Sequence, residues 1–148
     1  MSMDDIREKV EKIVTAFVTE EVELLMNNSS EQAITHRLAV MLERDFNDWN
    51  VDCEYNRDQN TIKRLRYAIS ADRPIEERDV VPDIIVHQRM TENNLLVIEV
   101  KKSTNPEPDV KDLAKLHAFR EQLGYKNALF IRFLVGADEP NVQRMEWV

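Results

Sequence analysis

The feature that most constrains this sequence is a pair of apolar runs separated by a short polar link. The first run reads VVPDIIVHQR and the second NLLVIEVKK, and together with the link they span Val80–Lys102. Both runs are rich in β-branched residues, and the link contains Thr, Glu and Asn, a pattern typical of an antiparallel hairpin with a longer loop. Because the runs are apolar on both faces, they predict a strand pair covered on both sides, as in layered α/β folds.

Three charged residues of this hairpin are predicted to converge on one face of the sheet. If the loop is centred near positions 91 and 92, the numbers of paired residues add up to about 182 to 184, so Asp83 lies opposite Glu99 or Lys101. Side chains alternate along a strand, so these three residues share a face. That face also carries the apolar residues Ile85, Leu95 and Val97. Unpaired carboxylates are costly there, so we expect Asp83 and Glu99 to hold a divalent metal, with Lys101 beside it as a fixed positive charge.

The same residues form a recognisable motif. A Pro-Asp pair at positions 82 and 83 opens the first strand, and Glu-Val-Lys at 99–101 ends the second. This pattern resembles the PD-(D/E)xK nuclease superfamily, in which PD opens one strand and ExK ends the next. The strings SEQAITHRLAVMLE, VDCEYNR, PDIIVHQR and NNLLVIEVKK are also similar to a bacterial branch of that superfamily. The likeness covers residues 29–135.

The resemblance implies a chemistry and a set of site residues. It implies that Asp83 and Glu99 bind Mg²⁺ or Mn²⁺, with the carbonyl of Val100 and the carboxylate of Glu31 as further candidate ligands. It implies that Lys101 orients or helps deprotonate the attacking water. The expected function is therefore metal-dependent hydrolysis of a phosphodiester, with DNA as the expected substrate.

The remaining segments predict the element order helix, helix, strand, strand, strand, helix, strand. Residues 1–28 are predicted as an N-terminal helix, whose apolar stripe extends from Ile6 to Val22. Residues 29–135 then form the core, in the order αβββαβ that the superfamily shares. Ser29, with Gln32 three residues later, is the predicted capping box of its first helix. Its second helix is predicted between Pro108 and Gly124, with Val110 on its apolar side. Residues 136–148 are predicted as an edge strand or a loose tail. The expected fold is a single α/β domain with a restriction-endonuclease-like core, a mixed central sheet and an extra N-terminal helix.

Two acidic residues outside the hairpin are further candidates for the site. Glu31 lies on the inward edge at the start of the second helix, where superfamily members commonly place a metal-site glutamate. Its alternative role is to complement the helix dipole. The sequence from Val51 to Tyr55 alternates apolar and acidic residues and predicts the first strand, with Val51, Cys53 and Tyr55 facing inward. Glu54, on the opposite face of that strand, is a candidate auxiliary ligand, although an exposed strand acid is the commoner explanation.

Basic residues in two other segments complete the set of candidates. Lys115, in the helix after the hairpin, is a candidate auxiliary residue, and a surface lysine is its simpler alternative. The segment 57–79 has no sustained periodicity and leads directly into the motif. It is a candidate flap that binds phosphate through Lys63, Arg64 and Arg66, and a solvated loop is the alternative.

Composition bounds the size and location of the protein. A chain of 148 residues with two Gly and five Pro fits one compact domain rich in regular structure. The single cysteine, Cys53, and the lack of a leader sequence predict a reducing cytoplasm. No apolar run approaches the length needed to cross a bilayer, so no membrane partner is expected.

The formal net charge of −8 limits how such a protein can contact DNA. Domains that bind nucleic acid through their overall field are usually basic, so contact here must be local, metal-assisted or supplied by another subunit. A homodimer, with the first helix as its surface, or a larger complex is therefore considered. Two alternatives to an enzyme stay open. One is a catalytically inactive binding or regulatory subunit of a DNA-processing or phage-defence system, and the other is a purely structural ion pair at the sheet end.

Overall fold

Residues 2–54 and 81–148, which a computed structural model describes, form one mixed β-sheet of five strands together with four helices. In chain order the elements are α1 (Met3–Glu20), α2 (Val22–Met26), α3 (Glu31–Asp45), β1 (Asn50–Cys53), β2 (Ile84–His87), β3 (Asn94–Lys102), α4 (Asp109–Leu123), β4 (Asn127–Leu134) and β5 (Asn141–Trp147). Strand order in the sheet follows chain order. Strands β3 and β4 run parallel, and the other neighbouring pairs are antiparallel. The predicted α/β class with a mixed sheet is confirmed.

Both faces of the sheet are covered by helices, as the doubly apolar strands predict. Helices α1 and α3 pack on one face, which we call the apolar face. Its strand residues are Ile84, Val86, Leu96, Ile98, Val100, Leu129, Ile131 and Phe133. Helix α4 packs on the opposite face, which we call the charged face. Its apolar strand residues are Ile85, Val97, Ala128 and Phe130. No helix within the described ranges is long and apolar enough to cross a membrane.

The central hairpin has the predicted register. Ile84 pairs with Ile98, so the numbers of paired residues add up to 182. Continued by one residue, this register puts Asp83 opposite Glu99, which is the first of the two predicted pairings. Ile84 and Ile98 lie on the apolar face. Because side chains alternate along a strand, Asp83 and Glu99 lie on the charged face.

A register shift moves one residue of the hairpin to the face opposite the predicted one. Val86 pairs with Leu96 but His87 pairs with Asn94, so Leu95 is an extra residue on β3. Such a bulge interrupts the alternation of side chains. Leu95 therefore packs into the apolar face, and the prediction that it shares a face with Asp83 is wrong.

The N-terminal helix is shorter than predicted. It ends at Glu20 instead of continuing to residue 28, because Glu21 leaves helical geometry at φ −109° and ψ 32°. After this break the buried residue is Leu25, and Val22 is exposed. The predicted stripe is otherwise buried from Ile6 to Phe17.

Helix α3 begins one residue later than the sequence pattern predicted. The side chain of Ser30, not that of Ser29, accepts a hydrogen bond from the backbone N–H of Ala33 at 3.1 Å. Ser30 has extended backbone angles, as an N-cap residue should. The cap directs Glu31 into the first turn of the helix.

Helix α4 follows its predicted limits closely. Pro108 is the N-cap residue, and Gly124 ends the helix in the left-handed conformation at φ 70°, which glycine adopts without strain. Leu116 and Phe119 are fully buried against the sheet. Val110 is exposed, so its predicted place on the apolar side of the helix is wrong.

The two edge strands, β1 and β5, decide further predictions. Strand β1 ends at Cys53, which pairs with Ile84 and so lies on the apolar side of the sheet, but which is exposed at the end of the strand, where the chain turns at Glu54 with φ 50°. Tyr55, the third residue predicted to face inward, lies outside the described residues. At the other edge, β5 pairs with β4, so residues 136–148 contain the edge strand and not a loose tail.

Candidate active site

One cleft of about 260 Å³ contains most of the residues that the sequence singled out. It opens where β2 begins and β3 ends, and we call it the acidic cleft. It is lined by Glu31, Asp83, Glu99, Val100, Lys101, Asn105, Glu107, Lys111, Asp112 and Lys115. The three motif residues therefore share one cavity. The sequence had predicted this from the hairpin alone.

Asp83 is oriented by the backbone of the neighbouring strand. Its Oδ2 accepts a hydrogen bond from the backbone N–H of Val100 at 2.8 Å. Its own carbonyl accepts from the N–H of Glu54 at 3.1 Å. Asp83 is thus tied to strands on both sides, which fixes its carboxylate at the mouth of the cleft.

Glu99 is the most deeply buried carboxylate of the cleft, with 2% of its surface exposed. Burial raises the pKa of Glu99 well above its usual value, and the negative charge of Asp83 raises it further. The charge of Lys115 opposes both effects. Two carboxyl groups in this arrangement repel each other, and a cation beside them relieves that repulsion.

Lys115 supplies one such cation, and it is not a surface residue. Its Nζ lies 2.8 Å from Oε1 of Glu99 and donates a hydrogen bond to the carbonyl of Val81 at 2.6 Å. Burial by itself would lower the pKa of Lys115, but the charge of Glu99 and the hydrogen bond to it outweigh burial and raise that pKa. The expectation of a solvated lysine is wrong, because the buried residue Leu116 beside it seats this turn of α4 on the sheet.

Lys101 is equally buried but has different partners. Its ammonium is ion-paired with Asp112 and lies 3.9 Å from Oε2 of Glu107. Both acids belong to the segment that leads into and forms helix α4. The motif lysine therefore lines the acidic cleft while its charge is balanced by acids other than Asp83 and Glu99.

Glu31 closes the cleft from the apolar side of the sheet. Its Oε2 accepts hydrogen bonds from the backbone N–H of Lys102 at 3.1 Å and from Nδ2 of Asn105 at 2.6 Å. The start of α3 is thereby attached to the end of β3. Glu31 thus lies in the predicted site, with one carboxylate oxygen already engaged by the protein.

The other candidates lie apart from the acidic cleft or outside the described residues. Glu54 is exposed and lines a neighbouring pocket of about 560 Å³, which shares Asp83 and Glu31 with the acidic cleft. Lys63, Arg64 and Arg66, and with them the whole 57–79 segment, fall in the part of the chain that the structure does not describe.

The donors present suit a hard divalent cation bound mostly through water. Across residues 2–54 and 81–148, no group of three His, Cys, Asp or Glu residues is arranged to hold a metal. Mg²⁺ does not require such a group, because it commonly uses one or two protein carboxylates and keeps several waters. Asp83, Glu99 and the carbonyl of Val100 offer oxygen ligands of that kind. The described lining of the cleft has five acids against three lysines, which leaves two negative charges.

Sequence reasoning missed the acids that pair with Lys101. Asp112 and Lys115 are three apart on α4 and therefore share one helix face, while Glu99 and Lys101 are two apart on β3 and share one strand face. When the helix lies on the strand, the four charges form two pairs of opposite sign. The available signal in the sequence was therefore the spacing of Asp112 and Lys115 on the helix, together with the spacing of Glu99 and Lys101 on the strand.

Comparison with known proteins yields no relative. No family model matches the sequence, and neither a curated protein nor a solved structure is significantly similar. The function of the protein must therefore be inferred from the acidic cleft and from the motif that lines it.

Proposed function

We propose that this protein is a metal-dependent phosphodiester hydrolase that acts on DNA and has a restriction-endonuclease-like core. The observation that carries the proposal is the meeting of Asp83, Glu99 and Lys101 in one cleft at adjoining strand ends. The order α3, β1, β2, β3, α4 and β4 among the described elements supports the αβββαβ core. Motif and topology thus favour the same function, although they are independent features of the chain.

Each residue of the cleft has a role in this proposal. Asp83 and Glu99, with the carbonyl of Val100, would hold Mg²⁺ or Mn²⁺ through hard oxygen atoms. When bound, such a metal lowers the pKa of its water and stabilises negative charge on the reacting phosphate. Lys101 orients the attacking water or helps to deprotonate it. Glu31 keeps the end of β3 attached to α3, so that the strand end carrying Glu99 and Lys101 stays in place.

The direct test is cleavage of supercoiled, linear and single-stranded DNA by the purified protein with Mg²⁺ or Mn²⁺. Asp83→Asn and Glu99→Gln keep the shape of the side chains but remove their charges. We expect each to reduce the cleavage rate by at least about 100-fold, because stabilisation of the reacting phosphate is lost. Asp138→Asn, which alters an exposed acid in the turn before β5, serves as the matched control and retains full activity.

Cleavage that persists unchanged in Asp83→Asn and Glu99→Gln would come from a contaminant and would contradict the proposal. A binding measurement tests the metal separately. A cation that binds the folded state alone stabilises it by about 2.7 kcal/mol at one hundred times its dissociation constant. We expect Mn²⁺ to raise the melting temperature of the wild type, and Asp83→Asn to lose this response.

A second candidate is a catalytically inactive member of the same fold that binds DNA or a partner protein in a DNA-processing or phage-defence assembly. Two observations favour it: the ion pairs of Lys101 and Lys115 already balance charges inside the cleft, and the whole chain is acidic. Binding of DNA without cleavage, together with a melting temperature that Mn²⁺ does not change, would favour this candidate over the enzyme.

A cytoplasmic location and an assembly with further subunits are part of the proposal. Cys53 is an exposed free thiol, which suits a reducing compartment. Because the net charge is −8, a second copy or a basic partner would help to hold the DNA backbone. Light scattering with and without DNA measures that assembly directly, and a monomer in both conditions would contradict it.

A further inference from the structure

We propose that Lys115 is a positioning residue of the acidic cleft and the internal cation with which a divalent metal must share Glu99. The inference rests on the proposed function, since it assigns a further residue to that same site. It concerns a lysine of helix α4 that lies outside the motif.

The first argument is geometric. The single ammonium of Lys115 joins three separate segments: its own helix, Glu99 on β3 at 2.8 Å, and the carbonyl of Val81 at 2.6 Å. Val81 precedes Asp83 by two residues. Lys115 therefore contacts both carboxylate-bearing strand ends at once, and its removal takes one anchor from each of them.

The second argument concerns the choice of partners. Lys101 and Lys115 line the same cleft and are both buried, yet the charge of Lys101 is taken up by Asp112 and Glu107. Lys115 is the described lysine that is ion-paired with Glu99. The two lysines are thus not equivalent, and it is Lys115 that contacts Glu99, one member of the carboxylate pair.

The third argument is electrostatic. An ammonium at 2.8 Å from Glu99 repels any divalent cation that binds the same carboxylate. Such repulsion weakens metal binding but leaves the two carboxylates oriented in advance. The expected effect of neutralising Lys115 is therefore paired: the metal binds more tightly, and the reaction becomes slower because the strand ends are less well positioned.

The experiment measures both quantities on the same variants at one fixed pH. Lys115→Met removes the charge and keeps a side chain of similar length, while Lys115→Arg keeps the charge. Lys126→Met, in the exposed turn before β4, is the matched control. Calorimetric titration with Mn²⁺ gives the affinity, and single-turnover cleavage of DNA gives the rate.

We expect Lys115→Met to bind Mn²⁺ about 10-fold more tightly and to cleave about 100-fold more slowly. Lys115→Arg should keep an Mn²⁺ affinity close to that of the wild type, and Lys126→Met should match the wild type in both measurements. A merely structural lysine would lower stability without tightening metal binding. Unchanged or weaker Mn²⁺ binding in Lys115→Met therefore overturns the inference.

Two provisions keep the test decisive. If Lys115→Met does not fold, Lys115→Gln replaces it, because glutamine removes the charge but can still donate to the carbonyl of Val81. If the wild type binds Mn²⁺ but cleaves no DNA, the proposed function fails while the affinity comparison still decides the role of Lys115. If the wild type cleaves and the Lys115 variants behave like Lys126→Met, the inference fails alone.

Discussion

The two faces of the sheet are built on different principles. The apolar face is closed by α1 and α3 with hydrocarbon side chains from both helices and from every strand. The charged face has a smaller apolar cluster under α4, and beside it two buried ion pairs at the strand ends. Apolar burial stabilises a fold directly, whereas a buried ion pair often contributes little or nothing after desolvation.

This difference indicates that the charged face contributes less to stability than it could, because its charges serve the site. A leucine and a methionine in place of Asp112 and Lys101 would fill similar space without any desolvation cost. The chain instead keeps four charges at the one place where Asp83 also reaches the cleft. We interpret the apolar face as the part that holds the fold and the charged face as the part that serves the site.

The largest expected effect is on the apolar face. Phe17 is fully buried and packs against the ring of Phe133, with centroids 5.3 Å apart. Phe17→Ala should lower the free energy of unfolding by about 3–5 kcal/mol, because it removes apolar contact and leaves a cavity. Urea denaturation measures this, with the exposed Thr19→Ala as control. A loss below 1 kcal/mol, roughly that of a single ordinary surface change, would contradict our view of this face.

On the charged face, breaking one ion pair should cost less than removing Phe17. Lys101→Met leaves the half-buried Asp112 without its counter-ion, and we expect a loss of about 2–3 kcal/mol. The double variant Lys101→Met with Asp112→Leu should recover most of that loss, since neither charge then remains. In contrast, Lys12→Met breaks an exposed pair with Glu8 and should change stability very little. A double variant as unstable as Lys101→Met alone would mean that the ion pair stabilises the fold more than its apolar replacement does.

At the edge of the charged face, the contribution of Asp52 to the free energy of unfolding should depend on pH. Asp52, which faces the same side as its partner Ile85, has its pKa lowered by hydrogen bonds first from Arg89 and then from His87. Since the folded pKa lies below the unfolded one, Asp52 stabilises the protein above about pH 4 and loses this effect as the pH falls through the folded pKa.

The variant Asp52→Asn tests that sign. It should reduce the free energy of unfolding by about 1–2 kcal/mol at pH 7, where the charged hydrogen bonds are intact. The difference from the wild type should shrink steadily as the pH is lowered below about 4. Urea denaturation at several pH values measures it. A difference that grows toward acid pH would reverse the assigned sign.

The smallest expected effect concerns the start of α3, on the apolar face. Ser30→Ala removes the cap of this helix and should cost about 1 kcal/mol. Ser29→Ala is the matched control, because Ser29 was the cap residue that the sequence pattern favoured and it does not cap the helix. Equal losses in the two variants, measured by thermal denaturation, would contradict the assignment of the cap.

Much of the fold could be predicted because its signals are local. Alternation and β-branching predicted the central hairpin and, through its loop, the pairing of Asp83 with either Glu99 or Lys101. The errors in the predicted fold lie where a strand or a helix departs from regular geometry. The bulge moved Leu95 to the opposite face, and the geometry at Glu21 ended α1 early. Neither feature leaves a clear trace in hydrophobic periodicity.

The candidate site was predicted in part for the same reason. Its two carboxylates and its motif lysine belong to one hairpin, so a short-range argument was enough to bring them together. Lys115 belongs to a helix whose polar residues could not be sorted into exposed and buried ones by pattern. Its role depended on how α4 lies across β3, which is a property of long-range packing.

The sequence by itself determined that the two runs of the central hairpin pair, within a narrow range of register, and that two acids and a lysine end up on one face. These follow from a side-chain period of two and a short loop. The tertiary structure alone decided which lysine meets which acid. Ion-pair partners depend on the rotation and position of a helix on the sheet, and the burial of Leu116 and Phe119 sets both.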